Sequence, residues 1–320
     1  MRAAVVTRFG RRWSIEVREV PKPVPAPGEL LVRVRAATVS RTDDGELRHP
    51  WLQRIITRQR RRDILGMDFA GEVEAVGAGV SGWAPRDRLF GMTPWRGSGG
   101  QADYVCISDT APIAALPVGV PFERAPVFEG AYYASATVAE FGLGPGREIL
   151  VYGASGAIGT AAVQLAKIAG AAVTAVVVPQ HLDLARALGA DRVLDATSEE
   201  FARLGAEFDF VMDAVGKMHV AEWRRLLRPG GRFAVTDLGP GGQDLPFLLW
   251  SALTRSGRVS VPLPKRGTGQ AFARFLAERM AAGEYRAVVD RTYPLAAIAD
   301  AYRYVQTGGK AGIVVVDLEA

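Results

Sequence analysis

The spacing of apolar residues changes along the chain. Up to about residue 115 it alternates with a period of two. Leu30–Val34, interrupted by Arg33 and followed by Arg35, predicts a half-buried strand. Phe69–Val76, closed by Gly77-Ala78-Gly79, and Tyr104–Ile107 predict two more. Pro21, Pro23, Pro25 and Pro27-Gly28 precede the first, and Gly97–Gly100 precedes the last. From about Gly146 short continuous apolar runs alternate with helical patterns. Ile149–Tyr152, Val173–Val178, Arg192–Leu194, Phe208–Met212 and Phe233–Thr236 read as strands, and Ala157–Ala169 and His181–Leu188 as helices. That rhythm predicts a parallel sheet with helices on both faces. The tail is mixed, with helices at Ala271–Ala281 and Leu295–Val305 and strands at Val288–Tyr293 and Ile313–Val316.

Composition narrows the class. The chain has 320 residues, enough for about two domains, and is 48% hydrophobic and 23% charged, a globular balance. Its apolar runs, such as Phe247–Trp250, are far shorter than the ~20 residues of a membrane span, so no membrane partner is expected. Met1–Arg8 has no signal-like apolar core, and the expected location is the cytoplasm. A single cysteine, Cys106, excludes a disulfide framework or a cysteine-rich zinc site. The net charge of +5 favours anionic partners in general.

The strongest chemical signal is Ile149-Leu150-Val151-Tyr152-Gly153-Ala154-Ser155-Gly156-Ala157-Ile158-Gly159. A strand runs into three glycines and straight into a helix. One glycine makes the turn, one admits a pyrophosphate, and one lets helix pack on strand. The helix start adds free N–H donors and partial positive charge. Gly153, Ser155, Gly156, Ala157, Ile158 and Gly159 are therefore candidate dinucleotide contacts. An NAD site usually carries Asp or Glu at the end of the next strand. Val176-Val177-Val178-Pro179-Gln180-His181 has neither, which favours NADP(H) over NAD(H) and leaves Gln180 and His181 as the polar candidates. No Arg or Lys stands there to grip a 2′-phosphate.

Further segments join this one in order: Pro27-Gly28-Glu29; Leu65-Gly66-Met67-Asp68-Phe69-Ala70-Gly71-Glu72-Val73; Asp87-Arg88-Leu89-Phe90-Gly91; Ala187-Leu188-Gly189-Ala190-Asp191; Asp213-Ala214-Val215-Gly216; Leu227-Arg228-Pro229-Gly230-Gly231; and Gly309-Lys310-Ala311-Gly312. Together they resemble the medium-chain dehydrogenase/reductase superfamily, in its zinc-independent quinone oxidoreductase-like branch, over almost the whole chain. The resemblance implies an α/β protein. A GroES-like β-rich catalytic domain spans 1–118 and 263–320, and a Rossmann doubly wound parallel-sheet domain spans 119–262. It also implies an active site in the cleft, NAD(P)H use, a homodimer, and reduction of quinones, enones or other activated double bonds. Zinc-dependent relatives place Cys near Val39–Asp43 and His-Glu where this chain has Met67-Asp68. A thioether cannot replace imidazole on zinc, so no zinc is expected. Ser40 stands where quinone reductases usually have Asn. The Ser and basic residue they often carry near Val178–Gln180, and their Tyr near Ala196, are missing.

Without a metal, hydride transfer needs orientation and a proton or hydrogen bond where negative charge develops. Arg41 could bond an enolate oxygen with Asp43 orienting it. Glu129 opens an apolar helix in a segment the resemblance places beside the nicotinamide, and Tyr132 or Tyr133 could donate a proton there. Asp237, Leu238 and Gly239 follow a buried strand at the carboxyl edge of the sheet, where ligands bind. Asp213 and Lys310 complete the cofactor candidates by resemblance. The run Arg54, Arg58, Arg60, Arg61, Arg62 reads as a solvated face, and nucleic acid is not expected as a partner. Trp51, Trp95 and Trp250 fit an apolar pocket, a core or a dimer contact equally.

The expected function is zinc-independent NADPH-dependent reduction of an activated C=C bond or quinone in a small-molecule substrate. The alternatives are an alcohol or carbonyl dehydrogenase, and a cofactor-binding protein without turnover that binds RNA.

Overall fold

The computed structural model describes residues 1–49, 63–93, 99–237, 240–254 and 256–320. The chain divides into two compact units, 1–129 with 266–320, and 130–265. The expected boundaries were 118/119 and 262/263.

The chain opens with a hairpin, β1 (Arg2–Arg8) against β2 (Ser14–Glu19). β3 (Glu29–Val39) follows, then helix α1 (Arg41–Arg48), β4 (Asp68–Val76), β5 (Arg88–Met92), β6 (Tyr104–Ser108) and β7 (Ile113–Ala115). Helix α2 (Phe128–Phe141) carries the chain into the second unit. There β8 (Glu148–Tyr152), α3 (Ala157–Ile168), β9 (Ala172–Val177), α4 (Leu182–Ala187), β10 (Arg192–Asp195), α5 (Glu199–Arg203), β11 (Phe208–Asp213), α6 (Val220–Leu226), β12 (Leu227–Val235), α7 (Leu245–Thr254) and β13 (Val259–Ser260) succeed one another. The tail adds α8 (Gly269–Ala281), β14 (Val289–Pro294), α9 (Ile298–Thr307) and β15 (Ile313–Asp317) to the first unit.

In the first unit the described strands order as β14-β15-β3-β4-β5-β7, with β6 also on β3. β3 is the hub. Its upper half, Ala36–Val39, is buried throughout, paired with β15 along its length and with β4 at Ala36 and Ala37. The sequence alternation at Arg33 and Arg35 holds only in the lower half, so the strand outruns the pattern by five residues. The core gathers Leu30, Val32, Phe69, Leu89, Ile107, Tyr302 and Val314.

In the second unit the described strands order as β10-β9-β8-β11-β12-β13, all parallel. The apolar runs of β8 and β9 are buried as parallel strands require. Leu150, Val176, Val211, Trp223 and Phe233 form the core, with the Trp223 and Phe233 rings stacked at 4.6 Å. The order β10-β9-β8-β11 reverses direction after β8, the switch point at which such sheets bind ligands. The helix read at His181–Leu188 begins as a 3-10 turn, Pro179–His181, because Pro179 fixes the first position. Among the described residues no helix is long and apolar enough to cross a membrane.

Candidate functional site

The glycine loop of the second unit takes its shape from three different demands. Gly153 leaves β8 at φ +73°, and a Cβ there would lie 2.6 Å from the Val215 methyls. Gly159 packs so closely that a Cβ would lie 2.1 Å from the Gly153 carbonyl. Gly156 differs: its nearest neighbours to a built Cβ are ordinary contacts, the Gly153 oxygen at 3.6 Å and Val215 at 3.8 Å. Gly156 is also the N-cap of α3 and offers no side-chain cap. The first N–H groups of α3, at Ala157, Ile158 and Gly159, have no partner within the helix and can donate to an anion. Such donors fit a pyrophosphate. Ser155, Ala157 and Ile158 are half-buried around them.

The other cofactor candidates separate. At the end of β9, Gln180 is exposed, and His181 keeps a buried Nδ1 with no hydrogen-bond partner. Asp213 is fully buried and turned inward, accepting the N–H groups of Val215 at 3.1 Å and Met218 at 2.7 Å. Its carboxylate shapes the loop after β11 rather than facing a ligand. Asp237 is exposed over Gly216, where a Cβ would come within 2.5 Å of the Asp237 Cβ. Leu238 and Gly239 lie outside the described residues, as do Trp51, Trp95 and Arg54–Arg62. Trp250 is half-exposed on α7. Tyr132 donates its hydroxyl to the Lys265 carbonyl at 3.1 Å, and Tyr133 is half-buried.

The first unit holds a buried carboxylate cluster. Ser40 caps α1 through a reciprocal box: its hydroxyl accepts the Asp43 N–H at 3.1 Å, and Asp43 accepts the Ser40 N–H at 2.9 Å. The second Asp43 oxygen accepts the Gly66 N–H at 3.1 Å. Asp43 therefore organises backbone at Ser40 and Gly66. Arg41 is largely exposed and pairs with Asp44 at 3.4 Å, because side chains three apart on a helix are neighbours while Asp43 faces inward. Asp68, at the start of β4, accepts the Glu129 N–H with both oxygens. The Glu129 carboxyl, 6% exposed, is hydrogen-bonded by Thr42 and Ser40. Burial, and then the Asp43 charge, push it up to about 7. Burial and Glu129 hold Asp68 well above the usual carboxylate range, and burial raises the nearby Tyr285.

Lys310, read with the cofactor residues, joins this cluster. Burial presses its ammonium down to about 8 against the opposing pull of Glu129, and it donates to the Gly312 carbonyl at 2.5 Å. Asp68 and the two hydroxyls were not singled out as site residues, though the Ser40-x-x-Asp43 spacing signals the capping box. Burial lifts the Cys106 thiol to about 11, so it is no thiolate near neutrality.

Two family descriptions match the chain: an alcohol dehydrogenase GroES-like domain over residues 26–120, and a zinc-binding dehydrogenase domain over 188–316. A chloroplastic quinone-oxidoreductase homolog of Spinacia oleracea is 29% identical over 93% of this chain and 92% of its own. An alcohol dehydrogenase of Geobacillus stearothermophilus is 27% identical over the full length of both. The chain belongs to the medium-chain dehydrogenase/reductase superfamily. It is a quinone oxidoreductase-like oxidoreductase with the superfamily's pyridine nucleotide-binding fold. The structure of the Coxiella burnetii quinone oxidoreductase superposes with a TM-score of 0.85 over 99% of each chain, at 20% identity, which speaks for the fold alone. Neither family description covers residues 121–187, so the glycine loop and Glu129 rest on the geometry above.

Proposed function

We propose that this superfamily member is a zinc-independent, NADPH-preferring reductase of an activated C=C bond or a quinone in a small molecule. The observation that carries the reading is the free helix N-terminus at Gly156, with no carboxylate at the end of β9 to repel a 2′-phosphate. A bound reduced nicotinamide supplies hydride. The chain's own work is to hold the dinucleotide at 153–159, exclude water, and provide a proton.

The donor set does not suit catalytic zinc. Ser40 is engaged as a helix cap, Met67 is fully buried and offers a thioether, and among the described residues no three His, Cys, Asp or Glu side chains are arranged to hold an ion. A cytoplasmic homodimer is part of the same reading. Its test is spectrophotometric: NADPH oxidation by purified protein with an enone or a quinone, repeated after chelation. Turnover that survives chelation supports the reading, and activity restored only by zinc overturns the zinc-free part.

A second reading, an alcohol or carbonyl dehydrogenase, draws on the full-length likeness to the Geobacillus enzyme. Oxidation of simple alcohols, with no turnover of enones or quinones, would favour it. The RNA-binding alternative rests on Arg54–Arg62 and gains no support from the described residues.

A further inference from the structure

We propose that the first unit carries a phosphate-binding site, with Arg33 and Arg35 of β3 as its clamp. The site lies within residues 1–129 and 266–320 and does not depend on the hydride-transfer reading. A pocket of about 160 Å³ opens there. Three guanidinium groups line it, those of Arg2, Arg33 and Arg35, against two carboxylates, Asp103 and Glu319. Arg33 and Arg35 stand two apart on β3, so both side chains leave the same face of the strand, and Val34 between them is buried on the other. Like charges so placed repel one another, and an anion set between them relieves the repulsion.

The three arginines differ in what already satisfies them. Arg2 is committed to Asp103: its Nε and Nη2 donate to one carboxylate oxygen at 3.2 and 3.1 Å, and its backbone N–H donates to the other at 2.6 Å. Those three bonds hold Asp103 in place, and its side chain is only 19% exposed. Arg35 pairs with Glu72 at 2.7 Å and with Glu319. Arg33 is exposed, and its side chain makes no hydrogen bond or ion pair among the described residues. Glu74, whose carboxylate feels the Arg33 charge, is already held by Lys22 at 2.7 Å. One complete guanidinium, with five donors, therefore remains at the pocket. Of the two acids, Glu319 is the one that can leave. Its side chain is 56% exposed and bonds Arg35 alone among the described residues, and an ion pair so open to water is weak. An incoming anion takes its place on Arg35 and engages Arg33 at the same time. A carboxylate has two oxygens, which a single guanidinium fork fills. A phosphate dianion has a further oxygen for the second fork and the second charge that two cations call for, so the pocket suits a phosphate group.

The test is calorimetric titration of the whole protein, with NADPH present and ionic strength held constant with chloride. The probes are inorganic phosphate, glucose 6-phosphate and acetate. Phosphate should bind saturably and acetate far more weakly. R33Q should weaken phosphate by about tenfold or more, through loss of a charged donor. E319Q removes the competing carboxylate and should tighten it. R203Q makes the same loss of charge at an exposed position on α5, in the other unit, and should leave the affinity unchanged. The ester binding more tightly than the free ion identifies a phosphorylated small molecule as the ligand, and equal binding identifies phosphate itself. Phosphate held at the glycine loop would survive R33Q. Affinity that is the same in R33Q and wild type therefore places the anion elsewhere and overturns the proposal. So does the absence of saturable phosphate binding, and so does a loss in R203Q equal to that in R33Q, which would be an effect of net charge alone.

Discussion

The backbone N–H of Glu129 bonds both carboxylate oxygens of Asp68, at 2.8 and 3.0 Å, and so pins the first turn of α2 to the start of β4. The N–H groups of a helix's first turn have no partner within the helix, and here a strand residue supplies one.

Removing that acceptor should be costly. Asp68→Ala leaves a buried N–H unmet and should lower stability by about 1–3 kcal/mol. Asp68→Asn keeps an acceptor oxygen and removes a like charge from beside Glu129, so it should cost less. Denaturant unfolding of the two variants checks the order. Equal losses would mean that the contact contributes only packing.

Stability should depend on pH through Glu129, in the direction opposite to an ordinary surface carboxylate. Its acid is raised from 4.5 unfolded to about 7 folded, chiefly by burial, so the folded state holds the proton more tightly. The associated stability is complete below 4.5 and is lost as pH rises through about 7, a loss of ~3 kcal/mol. E129Q has no such proton to lose. Its Tm relative to wild type should therefore climb across that window and then level off. A difference that stays flat, or falls, from the acid to the neutral side would show that Glu129 is ionised throughout.

The parts of this protein that could be read from sequence are those in which local pattern and tertiary role agree. Tyr152-Gly153 into Gly156 and Gly159 announces itself because the turn at Gly153 and the helix packing at Gly159 each demand glycine at a fixed place. The apolar runs of β8 and β9 do likewise, since buried parallel strands need nothing polar. The opening hairpin was not legible. Arg2, Arg8, Glu16, Arg18 and Glu19 break its pattern, and only scattered positions such as Ala3, Ala4 and Ile15 are buried. Helix α1 escaped for the opposite reason: Asp43, Asp44 and Glu46 are polar yet buried, and Asp43 and Asp44 accept hydrogen bonds from Gly66 and Gln306, far away in sequence. Asp68 as the partner of Glu129, 61 residues on, and Lys310 beside the same cluster, are products of topology that no local spacing encodes.

Two neighbouring glycines should respond to substitution in opposite ways. Gly156→Val puts a side chain where only ordinary contacts await it, so the fold should survive while NADPH binding is lost. Gly159→Ala drives a methyl into the Gly153 carbonyl and should destabilise by about 1–3 kcal/mol before any question of cofactor arises. Calorimetric titration with NADPH beside thermal melts separates the two effects. A folded Gly156→Val protein with wild-type affinity would remove the loop from the cofactor site.

Cofactor choice turns on the end of β9. With Val178, Pro179 and Gln180 there, no carboxylate bonds the ribose hydroxyls of NAD or repels a 2′-phosphate, and no cation in that stretch attracts one. Repulsion between desolvated like charges costs several kcal/mol, so its absence should set the sign of the preference. The missing cation should set its size, giving NADPH over NADH by on the order of tenfold, about 1.4 kcal/mol. We propose that His181 contributes part of that. Its imidazole is half-buried beside the exposed Gln180, and a ring N–H that reaches solvent can donate to a phosphate. His181→Ala should therefore lower kcat/KM for NADPH more than for NADH. Steady-state kinetics with both cofactors, for wild type and variant, decides the matter. Equal use of NADH by the wild type would overturn the NADPH preference while leaving the dinucleotide loop in place, and an unchanged ratio in the variant would take His181 out of the 2′-phosphate site.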